Sequence, residues 1–172
     1  TRREHELVRG LAHRFSATSE EIPQRVDTLI SQNKKLEKEL KSAASQSALS
    51  KTDELLKQQI TVGGIELLSA DLGELPAENL REVMDAVRQK MPSGVIVLGS
   101  RAEGKACFTA SVSSDLIPKG LHAGNLIKAV AAIAGGGGGG QPQKAQAGGK
   151  NPEKVGEAIA KSSAIVQGMI KG

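Results

Sequence analysis

The most prominent candidate for chemistry is a run of six glycines, Gly135–Gly140, with lysines on both sides of it. Glycine adopts positive φ without strain and lets a ligand approach the backbone closely. Successive N–H groups of such a segment can form a concave site for an anion. Positive charge near the run comes from Lys128, Lys144, Lys150 and Lys154. The pattern favours an anion- or nucleic-acid-binding loop, and a flexible excursion is the alternative.

Two better-known phosphate-binding motifs do not fit this run. It contains G-x-G-x-x-G, but a helix-like stretch and no strand comes before it, so the context of a dinucleotide-binding fold is missing. A P-loop that ended at Gly149 and Lys150 would need a glycine at position 144, where a lysine stands. The run is therefore interpreted from the properties of glycine itself.

Residue types that carry catalysis are scattered along the chain. His5, His13 and His122 lie far apart and Cys107 is the single cysteine, so no metal-ligand spacing is present in the sequence. The stretch Ser113–Asp115 places two serines beside an aspartate without a histidine nearby, which is typical of a turn or a helix cap. We expect no catalysis by this chain alone, and no cofactor or metal in it.

The composition narrows the kind of partner that the chain can bind. It has 172 residues and a net charge of +4, which is compatible with a polyanionic partner. Phe15 and Phe108 are its aromatic residues, and proteins that bind single strands stack bases on such side chains. We therefore expect any nucleic acid to be bound through phosphates and shape. No apolar run reaches transmembrane length and no signal peptide is recognised, so a cytoplasmic location is the default expectation.

The first part of the chain predicts a helical arm over residues 1–59. A heptad-type stripe steps along it by three and four residues: Val26, Leu29, Asn33, Leu36 and Leu40. A polar residue inside such a stripe can fix the register of a coiled coil at some cost in stability. The stripe predicts either an amphipathic helix packed on its own neighbours or a dimerisation helix. Two clear heptads do not decide between them, and the first is somewhat favoured.

Residues 60–172 predict a compact domain of α+β or mixed α/β class. The stretch "ITVGGIELLSADL" is rich in strand formers, with a bend at its two glycines, and "GVIVLGS" and "ACFTASV" predict a hairpin. Helices are predicted for "PAENLREVMDAVRQKMP", for the stretch before the glycines and for the C-terminal stretch after Asn151. The fold expected is a long-helix arm followed by a mixed sheet with a glycine-rich loop.

The stretch "HAGNLIKAVAAIAGGGGGGQPQKAQAGGK" resembles the glycine-rich signature of the DHH-associated domain that ends alanyl-tRNA synthetases. The segments "EEIPQRVDTLISQNKKLEKEL" and "GVIVLGS…GK" fit the same family, so the resemblance spans essentially the whole chain. It implies a C-terminal module of alanine–tRNA ligase that binds the outer corner of tRNA and links the aminoacylation and editing domains. ATP and zinc are then expected only in upstream domains, and the helical part often contributes to dimerisation.

The resemblance also implies site residues, with some departures. The family commonly has arginine at the position of Gln141, and aspartate and methionine at the positions of Gln143 and Lys144. DHH phosphoesterases carry a histidine after the glycines, so Gln141 argues against that chemistry. The resemblance and the charge pattern together give these candidate RNA-binding residues: Gly135, Gly136, Gly137, Gly138, Gly139, Gly140, Gln141, Lys144, Gln146, Gly148, Gly149, Lys150, Lys128 and Lys154.

Two alternative functions stay open at this level. The same module also fits a free-standing alanyl-tRNA editing hydrolase, because the upstream region that would separate the two is not in this sequence. A purely structural oligomerisation domain, driven by the helical arm, is the other alternative.

Overall fold

The computed structural model describes residues 2–170. Their contacts divide the chain into two units, and the boundary along the sequence lies between Ser42 and Ala43. Helix α1 (Arg2–Phe15) has no buried residue, and α2 (Ile22–Ser50) has one, Ser45. In the turn between these helices, the backbone N–H and the hydroxyl of Thr18 both donate to the Glu21 carboxylate, at 2.8 and 2.9 Å. These two hydrogen bonds lower the pKa of Glu21.

A six-stranded mixed sheet forms the centre of the second unit, in the order β1-β2-β3-β4-β6-β5. Among the strand pairs within residues 2–170, only β2 and β3 are parallel, and helix α4 connects them. Gly63 and Gly64 join β1 to β2 with positive φ, so the bend predicted there is a two-residue hairpin turn. The strands are β1 (Ile60–Val62), β2 (Ile65–Glu74), β3 (Val95–Ala102), β4 (Lys105–Val112), β5 (Gly137–Gly140) and β6 (Lys144–Gly149).

Helices cover both faces of this sheet, so the unit has three layers. One hydrophobic cluster lies between the sheet and α5 and α6, and the other lies between the sheet and α3 and α4. Successive side chains of a strand point to opposite faces, which is why Phe108 and Ala110 join the first cluster while Cys107 packs against the second. The helices are α3 (Thr52–Leu56), α4 (Ala77–Lys90), α5 (Ala123–Ile133) and α6 (Val155–Met169), with 3₁₀ turns at Ser114–Lys119 and Pro152–Lys154.

Helix α4 shows how the sequence pattern determines the packing. Leu80, Val83, Met84 and Val87 follow the helical spacing and are buried, as is Met91 just after the helix. The two methionines therefore fill the core and do not form a binding stripe. The mixed α/β class predicted from the sequence is confirmed.

The segment before the sheet packs on α4. Leu55 is 6% exposed and belongs to the α4 cluster, and the Ser45 hydroxyl donates to the Glu82 carboxylate. Lys90 Nζ lies 2.5 Å from Asp53 Oδ1. These contacts connect residues 43–59 with the sheet domain, whereas the boundary predicted between residues 59 and 60 stays a prediction. No helix within residues 2–170 is both long and apolar enough to cross a membrane.

Candidate nucleic-acid interface

The glycine run forms the edge strand of the sheet. Strand β5 pairs in antiparallel fashion with β6, with Gly137 opposite Gly148 and Gly139 opposite Gln146, and all four of its glycines are exposed. The expectation of a loop with positive φ is wrong for this segment. Within Gly135–Gly140, all of which the structure describes, only Gly135 has positive φ, at 65°. The run is extended backbone, so it does not form the concave nest that the sequence suggested.

Every second residue of the run has to be glycine because the backbone of β6 lies very close to it. A Cβ atom on Gly136 or Gly138 would collide with backbone atoms of β6, and one on Gly140 would lie 2.6 Å from the Cα of Ala145. By contrast, a Cβ on Gly137 or Gly139 would have nothing within 4 Å. Half of the run is therefore glycine because β6 leaves no room for a side chain. Gly137 and Gly139 expose bare backbone where the fold itself would tolerate a side chain, whereas Gly135 has positive φ and its Cβ would lie 2.7 Å from Asn151 Nδ2.

Helix α5 closes one end of the glycine strand. A Cβ on Gly124 would lie 2.7 Å from the carbonyl oxygen of Gly140, so the start of the helix lies directly against the end of β5. The Ala123 N–H donates to the carbonyl of Pro142 at 2.8 Å, which fixes the turn between β5 and β6. The exposed Gln141 in this turn donates its N–H to the carbonyl of Lys144 at 2.9 Å. This turn is consequently held at both sides by backbone hydrogen bonds.

The other end of the glycine strand lies beside the segment that carries Lys150 and Lys154. The Asn151 N–H donates to the Ala134 carbonyl at 3.0 Å, and a Cβ on Gly149 would lie 2.7 Å from the same oxygen. Lys150 is exposed next to these contacts, and Lys154 lies 3.9 Å from a carboxylate oxygen of Glu157. The backbone thus fixes the position of these two lysines near the beginning of the run.

An arginine that sequence analysis did not single out supports this segment. Arg101 Nε donates to the Pro152 carbonyl at 3.0 Å, and its two terminal nitrogens lie 3.2 and 2.6 Å from the Asp71 carboxylate. Its planar fork suits a two-point contact with a carboxylate. Arg101 and Asp71 therefore tie the segment after Lys150 to the centre of the sheet. No spacing in the sequence brings these three positions together, so no local signal could have found them.

Lys144 and Gln146 of β6 contact α4 on the sheet face opposite α5. Lys144 Nζ lies 2.7 Å from Asp85 Oδ1, and Arg81 Nη2 donates to Gln146 Oε1 at 2.6 Å. Arg81 and Asp85 are four residues apart on α4, so they occupy one side of that helix. Neither residue was among the candidates predicted from the sequence. Their spacing on a helix indicates a shared polar face. The order of the strands is what shows that this face lies beside β6.

The four predicted lysines therefore surround the glycine strand without converging on one point. Lys128 lies on the exposed side of α5, Lys144 lies on the α4 side of the sheet, and Lys150 and Lys154 lie near the beginning of the strand. Such a distribution suits a broad, structured polyanion better than a single small anion, because separate phosphates can reach separate charges.

The residues considered for catalysis in the sequence do not form a catalytic group in the part of the chain that the structure describes. Cys107 is partly buried, and this burial, followed by the charge of Glu103, raises the pKa of its thiol, which makes it a poor nucleophile. In the described part of the chain, no three His, Cys, Asp or Glu side chains are grouped so that they could hold a metal ion.

Comparison with known proteins identifies the class. The model of the DHHA1 domain matches residues 64–168, and the chain therefore belongs to this family. Alanine–tRNA ligase of Alkaliphilus metalliredigens is 41% identical over 170 residues, which cover 99% of this chain and 19% of that protein. The corresponding ligase of Desulforamulus reducens is 40% identical over 166 residues, which cover 96% of this chain and 19% of the ligase.

A solved structure agrees with the sequence comparison. The crystal structure of the C-Ala domain from Aquifex aeolicus alanyl-tRNA synthetase is similar with a TM-score of 0.57 and 33% identity, over 63% of this chain and 97% of that one. The predicted resemblance to the C-terminal domain of alanyl-tRNA synthetases is confirmed. The chain spans about a fifth of the length of the curated relatives that it matches.

Proposed function

We propose that the sheet domain is a tRNA-binding module of an alanine–tRNA ligase and that it binds the outer corner of folded tRNA. The glycine strand is the observation that carries this proposal. Gly137 and Gly139 are exposed backbone at a sheet edge, with free space where side chains would stand. An RNA backbone can approach such an edge more closely than it can approach a strand with side chains.

The surrounding charges supply the second part of the binding. Lys150 at the beginning of the strand, Lys128 on α5 and Lys144 beside α4 can each neutralise a phosphate. Asp85 already pairs with Lys144, so a phosphate has to compete with that carboxylate. Lys150 is exposed and has no acidic partner within residues 2–170, so we expect it to contribute more to affinity than Lys144.

A module of this kind recognises the shape of tRNA more than its sequence. The described residues place Phe108 in the core, where it cannot stack on a base, and neither Trp nor Tyr is present in the chain. Many folded tRNAs should therefore bind with similar affinity, and alanine identity would be recognised by other domains of the parent protein. Those domains would also hold ATP and zinc, and the parent would act in the cytoplasm.

The first experiment compares RNAs. Filter binding at matched salt should give similar affinities for alanine tRNA and a non-cognate tRNA, and much weaker binding of an acceptor-stem minihelix that lacks the outer corner. Removing one phosphate contact by Lys150→Ala should reduce the slope of log affinity against log salt by about 1. Tight binding of the minihelix, or a strong preference for the alanine acceptor stem, would contradict binding at the outer corner.

The second experiment tests the glycine strand. Gly139→Val adds a side chain where the free protein has space, so the fold should persist while all tRNAs bind about tenfold more weakly, as expected for losing one charge-assisted contact. Gly168→Val on α6 is the matched control, because a Cβ there also meets nothing within 4 Å. Equal affinities for the two variants would count against the strand as the contact surface.

Self-association through the arm is a second proposed role. Leu29, Leu36 and Leu40 of the heptad stripe are 47%, 57% and 71% exposed, and Val26 and Asn33 are exposed as well. A helix that keeps an apolar stripe in water is suited to pairing with a second copy of itself. This exposure supports a dimerisation helix over the packed helix that sequence analysis favoured. A free-standing editing hydrolase is not favoured, because the relatives compared above are ligases.

A further inference from the structure

A polar cleft of about 540 Å³ lies beside the end of α4, on the α4 side of the sheet. Asp85, Arg88 and Gln89 of α4 line one side, and Ser111, Ser113 and Gln143 line the other. Its volume falls in the range of about 300–1,000 Å³ that is usual for small-molecule sites. The cleft reaches the beginning of β6 through Gln143, so it adjoins the proposed tRNA-binding surface but is not part of the glycine strand.

Hydrogen bonds within the protein fix the wall of the cleft. The Gly94 N–H donates to Ser113 Oγ at 2.9 Å, and the Ser113 N–H donates back to the Gly94 carbonyl at 3.1 Å. The Ser111 hydroxyl donates to the Gln143 carbonyl at 3.2 Å. These serine hydroxyls are therefore used to hold the wall. A ligand would meet a preformed surface and would not have to order it.

Three other lining side chains keep their hydrogen-bonding capacity free. Across residues 2–170, the guanidinium of Arg88 and the side-chain amides of Gln89 and Gln143 have no partner in the protein. Asp85 lies one turn before Arg88 on α4, but its carboxylate is engaged by Lys144. The charged, planar guanidinium of Arg88 thus faces the cleft with five N–H donors available.

The charges of the cleft favour a neutral polar ligand over a phosphate. Asp85 and Arg88 carry opposite charges, so the lining has no net charge of its own. The cleft also adjoins the C-terminal end of α4, where the helix dipole contributes partial negative charge. The neutral lining gives a dianion no net attraction, and the end of the helix repels it. By contrast, a heterocycle with acceptor atoms on its edge can pair with Arg88 without this penalty.

We propose that this cleft takes one unstacked purine base of the RNA that the sheet domain binds. Arg88 would pair with acceptors on the edge of the base, as arginine does with O6 and N7 of guanine, and Gln143 would contact a second polar group. The exposed Pro92 also lines the cleft and provides apolar surface for the face of the ring. Single-stranded bases of folded RNA are the ones available for this contact. The proposal rests on the proposed tRNA-binding function.

Nucleosides test the cleft without tRNA and without a phosphate group. Chemical shifts of the whole chain should be followed by NMR during titration with guanosine, adenosine, cytidine and uridine, and separately with inorganic phosphate. We expect guanosine, and more weakly adenosine, to shift the Gly94 amide and the Gln143 side-chain amide, because guanine offers two acceptors to Arg88 and adenine offers one. Arg88→Ala should abolish these shifts. Lys90→Ala is the matched control, because Lys90 carries the same charge two residues further on and pairs with Asp53 outside the cleft. Shifts with phosphate equal to those with guanosine, or no shift with any purine nucleoside, would overturn the proposal.

Binding of tRNA separates this proposal from the one on which it rests. Arg88→Ala should weaken tRNA binding about tenfold, as expected for losing a two-point base contact, and Lys90→Ala less than about twofold. Arg88→Lys should behave like Arg88→Ala, because lysine keeps the charge but lacks the planar guanidinium that makes a two-point contact. Equal effects of Arg88→Ala and Lys90→Ala on a protein that binds tRNA would refute the base contact and leave the tRNA-binding function intact. If the unaltered chain binds no tRNA, the proposed function fails, while the nucleoside titration still decides whether the cleft binds a purine.

Discussion

The helical arm and the sheet domain bury apolar side chains to very different extents. In the arm, α1 buries nothing, and Leu7 and Leu36 are 65% and 57% exposed. In the sheet domain, Leu67, Val97 and Leu126 are fully buried, in a layer that α5 and α6 cover. Both regions have regular apolar spacing, so spacing alone does not indicate whether a region completes its own core. The sheet domain does so, whereas the apolar stripe of the arm is exposed.

Core truncation should show the largest difference between the two regions. Phe108→Ala removes a buried ring from between the sheet and its helices, and we expect it to lower the free energy of unfolding by about 3–5 kcal/mol. At protein concentrations low enough to keep the chain monomeric, Leu36→Ala in the arm should change it by less than about 0.5 kcal/mol, because the side chain is exposed. Urea denaturation followed by far-UV circular dichroism measures both. A loss above 2 kcal/mol for Leu36→Ala would show that the stripe is already packed in solution.

The glycine strand offers a finer contrast inside the sheet domain. Gly138→Ala places a methyl group against the backbone of β6, and we expect it to destabilise the domain by about 1–3 kcal/mol. Gly139→Ala enters free space and should change stability by less than about 0.5 kcal/mol. Thermal unfolding of the two variants side by side measures the difference. Equal losses would mean that β5 does not approach β6 as closely as described.

A feature of the fold could be predicted from the sequence where its signal lies within one short stretch of residues. Helix α4 was predicted correctly because Leu80, Val83 and Val87 repeat at the helical period within one element. The glycine strand was missed because glycine is depleted in strands, and here contact with β6 outweighs that preference. The positions of Lys144 and Gln146 depend on the order of β4, β6 and β5, which no local pattern contains.

Removing residues 1–42, the part of the arm that forms the first unit, tests the proposed role of the arm in self-association. Residues 43–172 retain Leu55 and the contact between Ser45 and Glu82, so a chain that begins at Ala43 should keep the sheet domain intact. We expect this chain to be monomeric in sedimentation experiments and to differ from the full chain in unfolding free energy by less than about 1 kcal/mol. A dimer of the shortened chain would assign self-association to the sheet domain. A fully monomeric full chain would remove the dimerisation proposal.

The smallest expected effect concerns how firmly residues 43–59 belong to the sheet domain. The hydrogen bond and the charge of Lys90 lower the pKa of Asp53 in α3. A carboxyl group whose folded-state pKa is lowered contributes stability above its unfolded pKa, about 4, and loses it as pH falls through the lower folded value. Asp53→Asn should therefore reduce stability slightly at pH 6 and leave it unchanged at pH 2, because both partners are exposed and solvent screens the pair.

Urea midpoints between pH 6 and pH 2 measure this effect of Asp53, with Lys90→Ala as the second single variant. Lys90→Ala should remove the same part of the pH dependence, and the double variant should show no further change, because the two groups act through one ion pair. A pH dependence that is identical in Asp53→Asn and the unaltered chain would mean that the pair does not hold α3 on α4. Residues 43–59 would then be joined to the sheet domain mainly through apolar contacts such as that of Leu55.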